Sequence, residues 1–148
     1  MVGKLARYMR ILGYDTVYSR DIDDSHLIDI ALLEERVILT RDTALINKTL
    51  VKKYLLIDSD NPADQLYQVI KHFDLHPGRS QFLSLCLECN CALVPIDKLE
   101  IKSQIWPYVY DNHDSFKICR SCKRIFWQGD HVRAMQDRLA SWNIVLRD

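Results

Sequence analysis

The chain has no apolar run near the roughly 18–20 residues that a membrane-spanning helix requires. It has no net charge either, with 20 Lys and Arg against 20 Asp and Glu, so the overall balance predicts no partner. Neither an internal repeat nor a low-complexity stretch is present, and four glycines and four prolines among 148 residues exclude a collagen-like or disordered chain. The amino-terminal segment up to Gly13 is basic and apolar, but Arg7 and Arg10 interrupt it and no small-residue cleavage site follows. That pattern argues against secretion, and the expectation is a cytoplasmic protein with no membrane partner. The length suits one domain, or one compact domain with a small metal-stapled module.

Charge is unevenly placed. From Asp15 to Glu35 seven acids (Asp15, Asp21, Asp23, Asp24, Asp29, Glu34, Glu35) face Arg20, and Arg36 just beyond. Lys4, Arg7 and Arg10 stand in the first ten residues without an acid, and Cys119 to Arg138 holds five bases against Asp130 and Asp137. An acidic cluster flanked by basic segments fits a metal site approached by a polyanion; taken alone it fits solvated helix faces better.

Apolar spacing predicts a helix over Val2–Leu12 stopped by Gly13, then a short strand at Thr16-Val17-Tyr18. A helix from His26 to Glu35 follows, capped by Asp24 or Ser25, then a buried strand at Val37–Thr40. Thr43–Lys53 reads as a helix, Tyr54–Ile57 as a strand, and Pro62 as the first position of another helix. Helices alternating with short apolar strands predict an α/β domain with a parallel sheet covered on both faces. The pattern breaks at His76-Pro77-Gly78-Arg79, which places a boundary near Gly78 and domains over 1–78 and 79–148.

In the second region Cys86-Leu87-Glu88-Cys89 and Cys119-Arg120-Ser121-Cys122 are CxxC knuckles 29 residues apart. Two such turns present four thiolates to one tetrahedral zinc ion and leave no open coordination position, which makes the site structural. A redox pair or two disulfides are the alternatives, and the lack of a leader disfavours the latter. Cys91 stands outside the pattern as a packing residue or free thiol. The spacer has room for a hairpin or two, with Ile101, Ile105, Trp106, Val109 and Tyr110 as contacts.

In an open parallel sheet ligands gather at the carboxyl ends of the strands. Asp21, Asp23 and Asp24 follow the first predicted strand, Arg41-Asp42 the second, and Asp58 and Asp60 the third. Carboxylates collected there call for a hard cation, Mg²⁺ or Mn²⁺, able to support attack on a phosphodiester. Taken singly, each aspartate reads better as a helix cap or turn residue.

The stretch Gly3-Lys4-Leu5-Ala6-Arg7-Tyr8-Met9-Arg10-Ile11-Leu12-Gly13-Tyr14-Asp15-Thr16 closely resembles the opening of the Mut-seven carboxy-terminal RNase domain family. Asp23-Asp24 ahead of a helix, Ile38-Leu39-Thr40-Arg41-Asp42 followed by Leu45, and Cys86/Cys89 followed by Asn90 extend the resemblance. Cys119-Arg120-Ser121-Cys122 leading into Phe126-Trp127-Gln128-Gly129-Asp130-His131 carries it through almost the whole chain.

The resemblance implies a PIN-like nuclease domain fused to a zinc ribbon, with metal-dependent cleavage of RNA. It implies Asp24 and Asp42 as Mg²⁺ or Mn²⁺ ligands, with Asp23 and Asp58 as further acids. Lys4, Arg7 and Arg10 suit phosphate contacts or helical ion pairs. Arg120, Lys123, Arg124 and Arg133 suit single-stranded RNA, with Phe126 and Trp127 stacking on bases or, more simply, filling the ribbon's core. His131 opens a helix and reads as structural. Family members open with a strand ending in an acid ahead of the segment matching Met1; the expectation is a sheet without that strand and a weakened metal site. The competing reading is a non-catalytic RNA-binding or adaptor module. Thiol redox chemistry through one CxxC is a third.

Overall fold

The computed structural model describes residues 2–148. Two compact units divide the chain. One runs to Met9 and resumes over Thr16–His76; the other comprises Arg10–Asp15 and Pro77–Asp148.

The first unit is mixed α/β, as the alternation predicts. Helix α1 (Gly3–Ile11) begins here and buries Leu5, Ala6 and Met9. Helix α2 (Asp24–Leu33) precedes strand β1 (Ile38–Thr40), which pairs in parallel with β2 (Tyr54–Leu56) in the register Leu39 to Leu55. Ile28, Ile38, Leu45 and Val51 form a buried cluster, with Leu27 and Ala31 packed against it. Helix α4 (Pro62–His72) starts on an Asn61 cap whose side chain accepts from Ala63 and Asp64. It buries Leu66 and Val69, the helical spacing that sequence alone displays.

Three predicted elements differ. Thr16–Tyr18 forms no strand: Val17 and Tyr18 are exposed, and the Tyr18 hydroxyl end lies against Gly3, where a Cβ would come within 2.8 Å of it. Three residues between polar neighbours bury too little apolar surface to hold a sheet position. The helix expected over Thr43–Lys53 is a single turn, α3 (Thr43–Ile46), ended by Asn47 and followed by tight turns through Lys48 and Val51. Asn47 and Thr49 are weak helix formers, and the turns send Val51 rather than Leu50 inward, leaving Leu50 56% exposed. The cap of α2 is Asp23, not Asp24 or Ser25.

The second unit is a three-stranded antiparallel sheet of β3 (Val94–Ile96), β4 (Phe116–Ile118) and β5 (Ile125–Trp127), followed by α6 (Asp130–Ser141). The spacer between the knuckles holds β3 and β4, paired as the antiparallel hairpin that its length allows, and their connection carries a 3₁₀ turn at Lys98–Ile101 and the short helix α5 (Pro107–Asn112). Asp97 caps the first through Leu99, and Pro107 sets the helical start of the second. Ile101 is fully buried, whereas Trp106 is 78% exposed and no core residue. Phe116, Val132, Leu139 and Ile144 complete the core with Ile11 and Leu12 from the end of α1.

Chain reversal after the helices follows one rule. Glu35, Asp74 and Asn143 adopt left-handed backbone after α2, α4 and α6, and the next residue's N–H returns to Ala31, Ile70 and Leu139 respectively. Gly13 likewise takes left-handed backbone after α1, its N–H returning to Arg10 O, the position at which glycine is the usual solution. No helix among the described residues is long and apolar enough to cross a membrane.

Candidate metal centre

Each knuckle is built by its own backbone. In the first, Asn90 N–H donates to Cys86 O (2.9 Å) and Cys86 N–H to Cys91 O (2.8 Å). In the second, Lys123 N–H donates to Cys119 O (2.8 Å) and Cys119 N–H to Arg124 O (3.0 Å). Asn90 and Lys123 both take left-handed backbone, at φ 62° and 64°, so the turns repeat each other residue for residue. Cys119 follows β4 directly, and the knuckle it opens leads into β5.

The ligand atoms of Cys86, Cys89, Cys119 and Cys122 lie within 4.8 Å of one another, and all five cysteines are free thiols. The Sγ atoms of Cys86 and Cys122 are 3.7 Å apart. That is close to the edge of a tetrahedron with about 2.3 Å from metal to sulfur, roughly 3.8 Å, and far longer than a disulfide bond. The donor set and its spacing therefore fit a metal such as zinc. Among the described residues no other group of three or more His, Cys, Asp or Glu side chains gathers in this way.

The thiols do not share one environment. Burial pushes Cys86 up to about 12. Backbone N–H donation from Cys122 brings Cys119 down to about 7 despite its burial. Cys89 is raised, mainly by its hydrogen bond with Cys122. A bound divalent ion would draw the proton from each. Cys91 lies outside the cluster: its exposed Sγ contacts Cys89 O at 3.5 Å, and its carbonyl closes the first turn.

The aspartates are placed one by one. Asp42 follows β1, where Thr40 Oγ1 accepts its N–H, and its Oδ1 caps α3 by accepting from Ala44 (2.8 Å) and Leu45 (3.3 Å). Asp24 opens α2 and pairs with Lys48 at 2.9 Å, a partner that no sequence period marks. Asp58 follows β2, and its N–H donates to Gln68 Oε1 while Gln68 Nε2 donates to Leu56 O, so α4 holds that strand end. Asp23 accepts from His26 N–H (2.9 Å) and binds the His26 ring at 2.7 Å. The structure does not draw these four acids into one cluster of the cysteine kind.

The Asp23–His26 pair is exposed. The hydrogen bond of its ring to Asp23 raises the His26 pKa above its ordinary 6.5, while the His26 backbone N–H and then the ring lower Asp23. The pairing is complete from above the lowered Asp23 value up to about pH 6.5, and fades as pH rises through the folded-state value of His26. Asp23→Asn is expected to bring the His26 midpoint, followed by NMR, back toward 6.5. An unmoved midpoint would contradict the contact.

Of the basic residues, Lys4, Arg7, Arg120, Lys123 and Arg124 are exposed, and Arg124 lies 3.8 Å from Glu88. Arg10 is a correction. It is 7% exposed and donates to the carbonyls of Leu87 (2.8 Å) and Glu88 (3.2 Å), so its guanidinium is not offered to a phosphate. Helical spacing could not reveal this, because the acceptors lie 77 and 78 residues away. Phe126 and Trp127 are half-buried, and the Trp127 ring packs between Phe116 and His131.

Comparison with protein families matches residues 1–139 to the Mut7-C RNAse domain. The chain belongs to the Mut7-C RNAse domain family. The match confirms the resemblance seen in the sequence, and it spans both units and all four clustered cysteines. Nothing among curated proteins and nothing among solved structures matches the chain. Membership in the Mut7-C family indicates a nuclease-type function. The strand that the resemblance implies ahead of Met1 lies outside the described residues.

Proposed function

We propose that this Mut7-C protein is a divalent-metal-dependent ribonuclease whose second unit is stapled by one structural zinc ion. The observation that carries the nuclease reading is the family match over residues 1–139. The zinc reading rests on four free thiols whose sulfurs lie within 4.8 Å of one another, with Cys86 and Cys122 at 3.7 Å. On this reading the protein is cytoplasmic, where the thiols stay reduced.

Asp24 and Asp42 are the proposed ligands for Mg²⁺ or Mn²⁺, with Asp23 and Asp58 as further carboxylates. Carboxylate oxygens suit such hard ions. Asp42 is the better-prepared ligand: Oδ1 is fixed by two backbone N–H groups, which leaves Oδ2 unengaged among the described residues. Asp24 would exchange Lys48 for the cation, or share it. A bound ion would act as a Lewis acid on the phosphodiester. Lys4, Arg7, Arg120, Lys123 and Arg124 are exposed cations suited to the RNA backbone.

Asp42→Asn tests the proposal cleanly, because asparagine caps a helix as well as aspartate does. The fold should persist, while Mn²⁺-dependent cleavage of single-stranded RNA falls on the order of a hundredfold or more, the rate equivalent of several kcal/mol. RNA affinity should change little. Cleavage that ignores both the metal and Asp42 would refute the assignment.

A second reading is a non-catalytic RNA-binding module. It is favoured by the ordinary structural tasks of the acids: Asp42 caps α3 and Asp24 pairs with Lys48. In that case RNA binding would be salt-dependent, indifferent to Asp24 and Asp42, and lost with the zinc.

A further inference from the structure

Arg10 is the one buried charged residue among those described, with Thr40 and Gln65 as the other buried polar side chains. A buried charge is costly unless something compensates it. Its Nη1 donates to Leu87 O at 2.8 Å and Glu88 O at 3.2 Å, the two carbonyls between Cys86 and Cys89. Those are the only residues that separate the first pair of thiols.

A second contact grips the same turn. Asn90 Nδ2 donates to Asp15 Oδ1 at 2.6 Å, and Asn90 is the left-handed residue that closes the knuckle. Between these two points, Leu83 N–H donates to Ile11 O at 2.8 Å. The segment Arg10–Asp15 thus clasps Cys86–Asn90 on both sides.

Four thiolates around one divalent cation leave two excess negative charges. Cys86 and Cys119 are fully buried, Cys89 is half-buried and Cys122 exposed, so water screens that charge from one side only. A guanidinium fixed on the intervening carbonyls places a positive charge beside the centre. It also holds the knuckle in the conformation that presents its sulfurs. Hydrogen bonds at this remove from a metal tune its affinity as well as its geometry.

We propose that Arg10 is a positioning residue of the metal centre, offsetting the tetrathiolate charge on its buried side and presetting the Cys86–Cys89 knuckle, with Asp15 as its auxiliary. This rests on the zinc reading of the four cysteines.

The test uses the full chain loaded with zinc, with affinity read by competition against a chromophoric chelator. Cobalt substitution adds a second readout through the thiolate-to-metal charge-transfer band. Arg10→Met should weaken zinc by about 10–100-fold, the range found when such outer partners are removed. Arg10→Lys keeps the charge but loses the forked donor, so it should fall between wild type and Arg10→Met and shift the cobalt band. Should Arg10→Met fail to fold, Arg10→Lys still decides: weakened zinc supports the proposal and unchanged zinc overturns it. Wild-type protein that binds no metal would remove the zinc reading and the proposal together. Wild-type protein with one zinc, and Arg10 variants within twofold of it, would remove the proposal alone.

Discussion

Removing zinc is expected to unfold the second unit. Its sheet consists of strands three residues long, and two of its core positions are the fully buried Cys86 and Cys119. So small a sheet does not hold itself together by apolar burial. Structural zinc supplies on the order of 10 kcal/mol to such a module, as much as the whole stability of an ordinary domain. Chelation should therefore expose the β3, β4 and β5 amides to hydrogen exchange, while those of β1 and β2 keep their protection. Cys119→Ser should do the same without a chelator. Cys91→Ser should retain one zinc per chain, since Cys91 lies outside the cluster. Acid should mimic chelation, because the Cys86 thiol, held up to about 12 by burial, has to give up its proton to bind metal. A second unit that keeps its exchange protection after stoichiometric zinc removal would contradict this account.

Gly13→Ala is expected to be the most damaging conservative change outside the cysteines. Gly13 has φ 88°, and a Cβ there would lie 2.3 Å from Gln81 O and 2.9 Å from Gln81 C, both backbone atoms. The left-handed conformation alone costs a non-glycine residue about 1–2 kcal/mol. Forcing apart two backbone segments adds to it, for a total of about 2–4 kcal/mol. In a chain of this length that corresponds to a fall of roughly 5–15 °C in Tm. Gly13→Asn separates the two effects, since asparagine tolerates left-handed backbone but still carries a Cβ. It should be nearly as harmful as alanine. The comparison matters because Glu35, Asp74 and Asn143 occupy left-handed positions without glycine. Space, more than torsion, makes Gly13 necessary. A Gly13→Asn protein as stable as wild type would show the reverse.

The parts of the fold legible in the sequence are those set by neighbours in the chain. The apolar spacing of Leu5, Ala6, Met9 and Leu12 announced α1, Pro62 announced α4, and the runs at Ile38 and Tyr54 announced a parallel pair. The knuckles were legible because a CxxC turn is local. Thr16–Tyr18 misled because β propensity records how well residues fit a sheet position without supplying one. The helix over Thr43–Lys53 misled because apolar Leu50 continued a period that Asn47 had already ended.

Period and spacing by themselves thus determined an α/β unit and a four-thiol cluster suited to a metal, and the resemblance of short motifs pointed to the Mut7-C family, since each is written over short stretches of chain. Tertiary structure alone decided that Arg10 turns inward onto Leu87 and Glu88, that Asp24 meets Lys48, and that Gly13 faces Gln81. Those contacts join residues 24 to 78 positions apart, and no local pattern encodes which distant backbone a side chain will meet. The site that opened as four spaced cysteines has, in the folded chain, its first knuckle tied to the end of the first helix through Arg10.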